Sequence, residues 1–381
     1  MRVCGAYVNR QTSKDQPMKL SLTSAAAFAL VAGACTAHAA TPLGEYFNAS
    51  GFGTLGAVTT NSGDGQYVRE QQVKGATRRA SLLVDSNLGL QLTGKANDWL
   101  SGTVQALTAQ RTTDDLTTRI EWAFVKVAPI EGLALRAGKM SLPNFLISDS
   151  RRIGFANTAL RPSNEVYGLD LLNGGLTGGD VSYRLPVLGN SLTVTGLLGN
   201  SKGISDVTVD VKKLRGINTV WDGNWYTLRA GYIQAEPQLK VLLGTSLPPD
   251  ADIAGEAYKF TGIGFTIDRA DVVLQGEYVK RHSTKFASYL DADAWYLMGG
   301  YRMNKLLPYL QYSERKAKNG SVVAPQKTAA LGLRWDAFSA AALKFQLEHV
   351  DTQGTAGASF ITPTAMTRPV TTLSAALDFV F

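Results

Sequence analysis

Apolar and polar positions alternate along this chain in short runs, rather than recurring every third or fourth residue. Ala341, Leu343, Phe345 and Leu347 interleave with Ala342, Lys344, Gln346 and Glu348. Val272, Leu274 and Tyr278 alternate with Gln275 and Glu277, and Ala329, Leu331, Leu333 and Trp335 with Thr328, Gly332 and Arg334. A period of two sends successive side chains to opposite faces of a strand, so each run has one oily and one wet face. The chain stops on the same pattern, with Leu373, Ala375, Leu377, Phe379 and the terminal Phe381 on one face. In a soluble sheet such an edge would invite aggregation. In a closed barrel the edge is paired and the apolar face meets lipid.

Sixteen such segments, from 51–60 to 370–381, can be laid out, each near the ~10 residues that cross a bilayer as a tilted strand. The stretch 201–222 is poorly patterned and leaves the count open by two. The connections alternate in length. Short ones, such as Ala96-Asn97-Asp98, Pro129-Ile130, Asp222-Gly223-Asn224, Asp268-Arg269 and Met303-Asn304, are built from turn-forming residues. Longer ones fall at 61–78, 140–167, 237–255, 282–291, 317–326 and 352–369, with brief members at 112–116 and 202–205. Long external loops, short periplasmic turns and both termini in the periplasm predict an all-β fold, a transmembrane antiparallel barrel of sixteen strands. Trp335, Tyr301, Tyr226, Trp225, Tyr309 and Phe381 lie near the short turns, where aromatic girdles meet lipid headgroups.

The amino-terminal region carries an address. From Met18, Lys19 precedes an apolar stretch, Leu20 to Ala34, and then Ala37-His38-Ala39. This is the charged start, short greasy middle and small-residue cleavage site of a secretory signal peptide, with cleavage expected after Ala39. Residues 1–39 are thus a removable leader, with either Met18 or Met1 as its start, and 40–381 the barrel domain. Both cysteines, Cys4 and Cys35, lie in the leader, so the mature chain is read as free of thiols and disulfides. Without the leader 34 basic and 30 acidic residues remain, interleaved, which excludes a nucleic-acid patch.

Little suggests chemistry. The mature chain has two histidines, His282 and His349. His282-Ser283 lacks a nucleophile elbow or an orienting partner at a recognisable spacing, and both histidines read as solvated loop or rim residues. No phosphate loop, zinc cluster or calcium loop is visible, and Gly174-Gly175 and Gly178-Gly179 fall where strands, not a helix, follow. The expectation is no enzyme, no cofactor and no metal.

Thr118-Arg-Ile-Glu-Trp-Ala-Phe-Val-Lys-Val127, followed by Leu133-Ala-Leu-Arg-Ala-Gly-Lys-Met-Ser-Leu-Pro143, resembles a strand-turn-strand of trimeric Gram-negative porins. In that family an Arg-x-Gly-basic strand end opens into the third external loop. Gly51-Phe-Gly-Thr-Leu-Gly56, Leu88-Gly-Leu-Gln-Leu-Thr-Gly94 and terminal Phe381 fit the same plan. The resemblance implies a homotrimeric sixteen-stranded channel in the outer membrane of a Gram-negative bacterium. Loop three, the longest connection, would fold inward as the constriction. Its expected partners are small hydrophilic solutes, outer-membrane lipid and lipopolysaccharide, and the barrel-assembly machinery acting through Phe381.

On that plan the constriction charges are Lys139 and Arg136 on the wall, Asp149, Arg151, Arg152, Arg161 and Glu165 on loop three, and Glu121 on the facing strand. Leu373, Leu377, Phe379 and Phe381 close the barrel. Loop three lacks the family's Pro-Glu-Phe-Gly-Gly stretch, and Asn87 and Glu121 stand where many relatives have arginine. Arg151 and Arg152 can therefore either face the aperture or pin the loop by salt bridges. Facing the aperture, they would give a weak anion preference. The function so read is passive diffusion. The alternatives are a substrate-specific channel for phosphate or a small carboxylate, and a non-conducting barrel acting as an adhesin or enzyme.

Overall fold

The structure, a computed structural model, describes residues 41–70, 72–203, 209–239, 257–284, 291–321, 323–362 and 366–381. The leader and both cysteines lie outside them, as do parts of the connections at 202–205, 237–255 and 282–291. Sixteen strands form the wall: β1 Phe47–Thr60, β2 Asn87–Lys95, β3 Leu100–Gln110, β4 Leu116–Ile130, β5 Leu133–Met140, β6 Leu176–Val187, β7 Asn190–Gly203, β8 Val209–Asp222, β9 Tyr226–Leu239, β10 Tyr258–Arg269, β11 Val272–Ser283, β12 Ala292–Tyr301, β13 Leu306–Ala317, β14 Gln326–Trp335, β15 Ala341–Asp351 and β16 Val370–Val380. Each pairs antiparallel with its neighbours in sequence, and β16 pairs with β1 (Leu377 opposite Leu55), which closes the sheet into a barrel.

Closure leaves no backbone edge, the condition for a sheet to cross hydrocarbon. The seam is sealed on its outward face by aromatics lying over glycines. A Cβ at Gly53 would sit 2.4 Å from the Phe379 ring, and one at Gly51 2.3 Å from the Phe381 ring. Only glycine lets those two rings lie flat across β1. No helix among the described residues is long and apolar enough to cross a membrane.

The alternation read from sequence sets the two faces. Leu297, Leu310, Leu331, Phe345, Leu347 and Leu373 are exposed on the outside, whereas Lys344, Gln346, Glu348, Thr372, Ser374 and Asp378 are buried inside the barrel. Tyr309 departs from expectation. It is 2% exposed and faces the lumen, where its hydroxyl donates to Gln346 (2.6 Å) and accepts from the Leu160 amide (2.9 Å), because β13 turns its odd-numbered residues inward. Two strands begin later than the pattern suggests, β2 at Asn87 instead of near 79 and β6 at Leu176 instead of near 168. In both cases the preceding residues leave the wall and fold into the lumen as the ends of loops one and three.

Candidate functional site: the inward loop and the cleft beside it

Loop three, residues 141–175, carries a 3-10 turn at Gly154–Ala156 and one helical turn, α1, at Asn164–Tyr167. It is held in two chemically different ways. Against β7–β12 the hold is hydrophobic: Leu142, Phe145, Val166, Tyr167 and Leu169 pack on the inward faces of Leu197, Ile233, Phe260, Val279 and Tyr296. Phe145 stacks obliquely on Tyr167 at 4.7 Å and edge-on to Phe260 at 5.2 Å. Glu277 anchors this cluster by accepting from the Leu146 amide (2.7 Å) and the Tyr167 hydroxyl (2.8 Å).

Against β13–β16 and loop one the hold is polar. Lys344 donates to the carbonyls of Gly154 (2.7 Å), Asn157 (2.5 Å) and Ala159 (3.2 Å) and pairs with Asp378 at 2.9 Å. Arg334 donates to the Phe155 and Asn157 carbonyls. Arg161, 2% exposed, donates to both oxygens of Asp85, to Glu348, to the Tyr67 hydroxyl and to Ser374. A buried guanidinium is tolerable only when paired and bonded this completely. Burial opposes the charge on Asp85, but Arg161 and Arg69 outweigh it and hold its carboxyl below the usual range. Glu165, 1% exposed, accepts from Ser163, Ser313, Gln326 and Thr328. Both Arg161 and Glu165 therefore serve as fasteners of the loop rather than as lining of an opening.

A small cleft lies between the loop and β1, β3 and β4. This cleft is lined on the wall by Phe52, Gln105, Glu121 and Trp122, and on the loop by Asp149, Arg151, Arg152, Ile153 and Asp170. Arg151 and Arg152 are each paired with an acid. Arg151 bonds Asp170 at 2.6 Å with side-chain exposures of 13% and 4%, and Arg152 bonds Glu70 at 2.6 Å with 27% and 6%. Burial would raise the Glu70 carboxyl, yet Arg152, Arg151, Arg69 and Arg111 overcome it and bring it down to about 2. Asp149 is exposed. Glu121 is the extra residue where the β3–β4 register slips, and it accepts from Arg111. A bulge of this kind re-aims a side chain.

Arg136 lies on the lumen face of β5, paired with Asp180 and over the Phe124 ring. Lys139 is not with it. Three residues further on, it takes the opposite face, level with Ala123 and on the side of Leu135 and Val125, and its ammonium donates to the Ile120 carbonyl. Parity alone separates the two, so Lys139 is no lumen wall charge. Of the other basic residues in lumen phase, Arg229 is fixed by Asn218, the Pro143 carbonyl and Glu277, and Arg302 pairs with Asp268 at a periplasmic turn. Sequence reasoning missed Glu70, Asp85, Lys344 and Asp378 as partners of the loop, and Asp170 as a partner of Arg151 within it. Lys344 and Asp378 showed inward phase in the alternation, but nothing in one sequence pairs Glu70 with Arg152.

A closed sixteen-stranded barrel with an apolar exterior, a polar interior and a loop folded across the lumen defines an outer-membrane pore. A family model described as Gram-negative porin matches residues 25–358, and the chain belongs to that family. No curated protein matches it. Among solved structures it is similar to OmpF of Salmonella typhi in complex with daunomycin, with 14% identity over 88% of this chain and 97% of that one and a TM-score of 0.59. It is also similar to an anion-selective porin from Comamonas acidovorans, with 13% identity over 88% and 100% and a TM-score of 0.56. The trimer form of OmpT from Vibrio cholerae is similar too, with 12% identity over 88% and 100% and a TM-score of 0.55. At these identities the likeness is one of fold. The protein is an outer-membrane porin.

Proposed function

We propose that the chain forms a homotrimeric, non-catalytic channel in which small hydrophilic solutes diffuse past loop three with a weak preference for anions. The observation that carries the preference is the layering of charge at the cleft. The guanidiniums of Arg151 and Arg152 are the more exposed members of their pairs, whereas Glu70 and Asp170, which also lines the cleft, are more deeply buried. A solute in the cleft meets the cationic side first, and charged side chains around an aperture set ion preference. Asp149, Glu121 and Asp170 on the same cleft keep the preference weak.

Assembly is supported by the exterior. Among the described residues β2–β5 carry no aromatic side chain on the outward face, since Trp122 and Phe124 of β4 share the face of the buried Gln105 and Thr103. On β9–β14, by contrast, Tyr232, Tyr278, Tyr301, Tyr312 and Trp335 are exposed. The β2–β5 face also bears the hydroxyl pair Thr108–Thr118 (2.8 Å) and the Lys139 ammonium. A surface without headgroup-anchoring aromatics and with polar groups suits contact with another protein chain better than lipid. The matched Comamonas porin is anion-selective and the matched Vibrio OmpT is a trimer, which accords with both parts of the reading.

The test is single-channel current and reversal potential in a planar bilayer under a salt gradient. Current steps in groups of three and a potential of anionic sign are expected. Clear cation selectivity would overturn the preference, and independent unit steps the trimer.

A further inference from the structure

Arg136 has one flat side covered and the other open to the lumen. Its guanidinium carbon lies 5.4 Å from the centre of the Phe124 ring, a cation–π contact. Its edge is taken by Asp180, which accepts from Nε at 3.0 and 3.1 Å and from Nη2 at 2.5 Å. Ring and carboxylate together fix the plane of the guanidinium. The Arg136 side chain is still 29% exposed, while that of Asp180 is 1% exposed. Directly opposite Arg136 on β4 stands Lys126, an exposed lysine with no hydrogen bond or ion pair of its side chain among the described residues. It lines a cavity of about 910 Å³ at the periplasmic end of β4–β7. Trp122, which lines the cleft above, is tilted against Phe124 at 6.5 Å. Alternate residues of a strand share a face, so Trp122, Phe124 and Lys126 descend one side of β4 from the cleft to the cavity.

We propose that Arg136 and Lys126 form a binding site for a planar aromatic carboxylate, with the solute ring stacked on the open face of the guanidinium and its carboxylate on the Lys126 ammonium. The proposal rests on the reading of the chain as a conducting channel and adds a solute class that net charge cannot select. Asp180 already neutralises Arg136, so a simple anion gains little there. A flat π system gains more, because a guanidinium is weakly hydrated and stacks on aromatic faces. Opposite residues on paired strands have Cβ atoms about 4.5–5.5 Å apart, a spacing within the reach of one arylcarboxylate. Lys126, without a counter-ion, supplies a charge-assisted bond. Asp98 and Glu131 on the same cavity repel an anion that has only charge to offer. The ring is therefore what holds the solute at Arg136.

The experiment titrates the single-channel chloride current of the full-length mature protein at neutral pH with benzoate, cyclohexanecarboxylate and acetate in turn. Benzoate should interrupt the current at concentrations roughly tenfold below those of the other two. Arg136→Lys keeps the charge beside Asp180 but removes the flat face, and should raise the half-blocking benzoate concentration by roughly tenfold, to the level of cyclohexanecarboxylate. Lys126→Gln should weaken block by all three carboxylates alike. Arg184→Gln removes the same charge from the same cavity, four residues beyond Asp180 on β6, and should leave benzoate block unchanged. Folding of each variant is checked by its heat-sensitive gel mobility, and Phe124→Leu, which takes the backing ring from Arg136, should repeat the Arg136→Lys result. Equal block by benzoate and acetate would overturn the proposal, as would benzoate block that is indifferent to Arg136→Lys and Phe124→Leu, or equal effects of Lys126→Gln and Arg184→Gln. A silent wild type would remove the channel reading instead. The site is then read by saturation-transfer NMR of benzoate on the detergent-folded barrel: a signal lost in Arg136→Lys supports it, and no signal overturns it.

Discussion

The two sides of loop three are held by opposite physics. Toward β7–β12 it contributes Phe145, Val166, Tyr167 and Leu169 to an apolar cluster inside the barrel, where burial fixes position without direction. Toward β1, β3 and β4 it presents Asp149, Arg151 and Arg152 to a cleft whose contacts are ionic and partly wet. The oily side can fill space but cannot tell one ion from another. The charged side can discriminate, because charged groups around an aperture act on the sign of the solute's charge. The protein thus divides the loop: the apolar cluster and the buried fasteners Lys344, Arg161 and Glu165 fix it, and the cleft side is free to set the solute preference.

The comparison breaks most severely at Phe145. Truncation to alanine in a packed aromatic cluster costs about 3–5 kcal/mol, and the expected result is a larger, noisier single-channel conductance with no change in the sign of the reversal potential. A shift in sign would mean that the apolar flank also sets selectivity. Next comes Arg161→Ala, which strands Asp85 and Glu348 in a buried site. Breaking such a network costs about 3–5 kcal/mol where the charges cannot reach water, and less where they can. It should lower the temperature at which the barrel loses its folded gel mobility, and Arg161→Met should be milder than Arg161→Gly.

A smaller effect isolates the cleft. Arg152→Gln should move the reversal potential toward cation preference while conductance stays within about twofold, as expected for a charge lining a pore rather than supporting it. An unchanged potential would transfer the preference to other residues. The acid dependence of the Arg152–Glu70 latch follows from Glu70, whose folded carboxyl is depressed to about 2. A depressed carboxyl stabilises the fold above its unfolded value of ~4.3, and that contribution is lost as pH falls through its folded value. Current–voltage curves should therefore show no change attributable to the latch between neutrality and about pH 4, and an earlier change that is absent in Glu70→Gln would show the latch to be weaker than described. The smallest effect belongs to Asp149→Asn, an exposed loop charge, which should add a slight increment of anion preference in the same measurement.

Much of the architecture was legible in sequence because a closed barrel repeats one local rule. The alternation that put Leu343, Phe345 and Leu347 outside and Lys344, Gln346 and Glu348 inside is set by strand geometry residue by residue, and the sixteen segments follow from it. The glycines at 51 and 53 and the aromatics at 379 and 381 fixed the seam for the same reason. Parity also decides Lys139, although the family pattern suggested otherwise: three residues from Arg136 is the opposite face.

Only the tertiary structure decided what the charges do. Arg151, Arg161 and Glu165 are neighbours in one loop and look alike as candidates, yet Arg161 and Glu165 are buried fasteners and Arg151 reaches the cleft. A loop has no period to say which way a side chain points. Its charges find partners far along the chain, Arg161 with Asp85 and Glu348, Arg152 with Glu70, and those partners meet only when the barrel closes and brings loops one and three across the same lumen. Strand faces are a local property of the backbone, whereas the field in the cleft is the sum of contacts that closure alone creates.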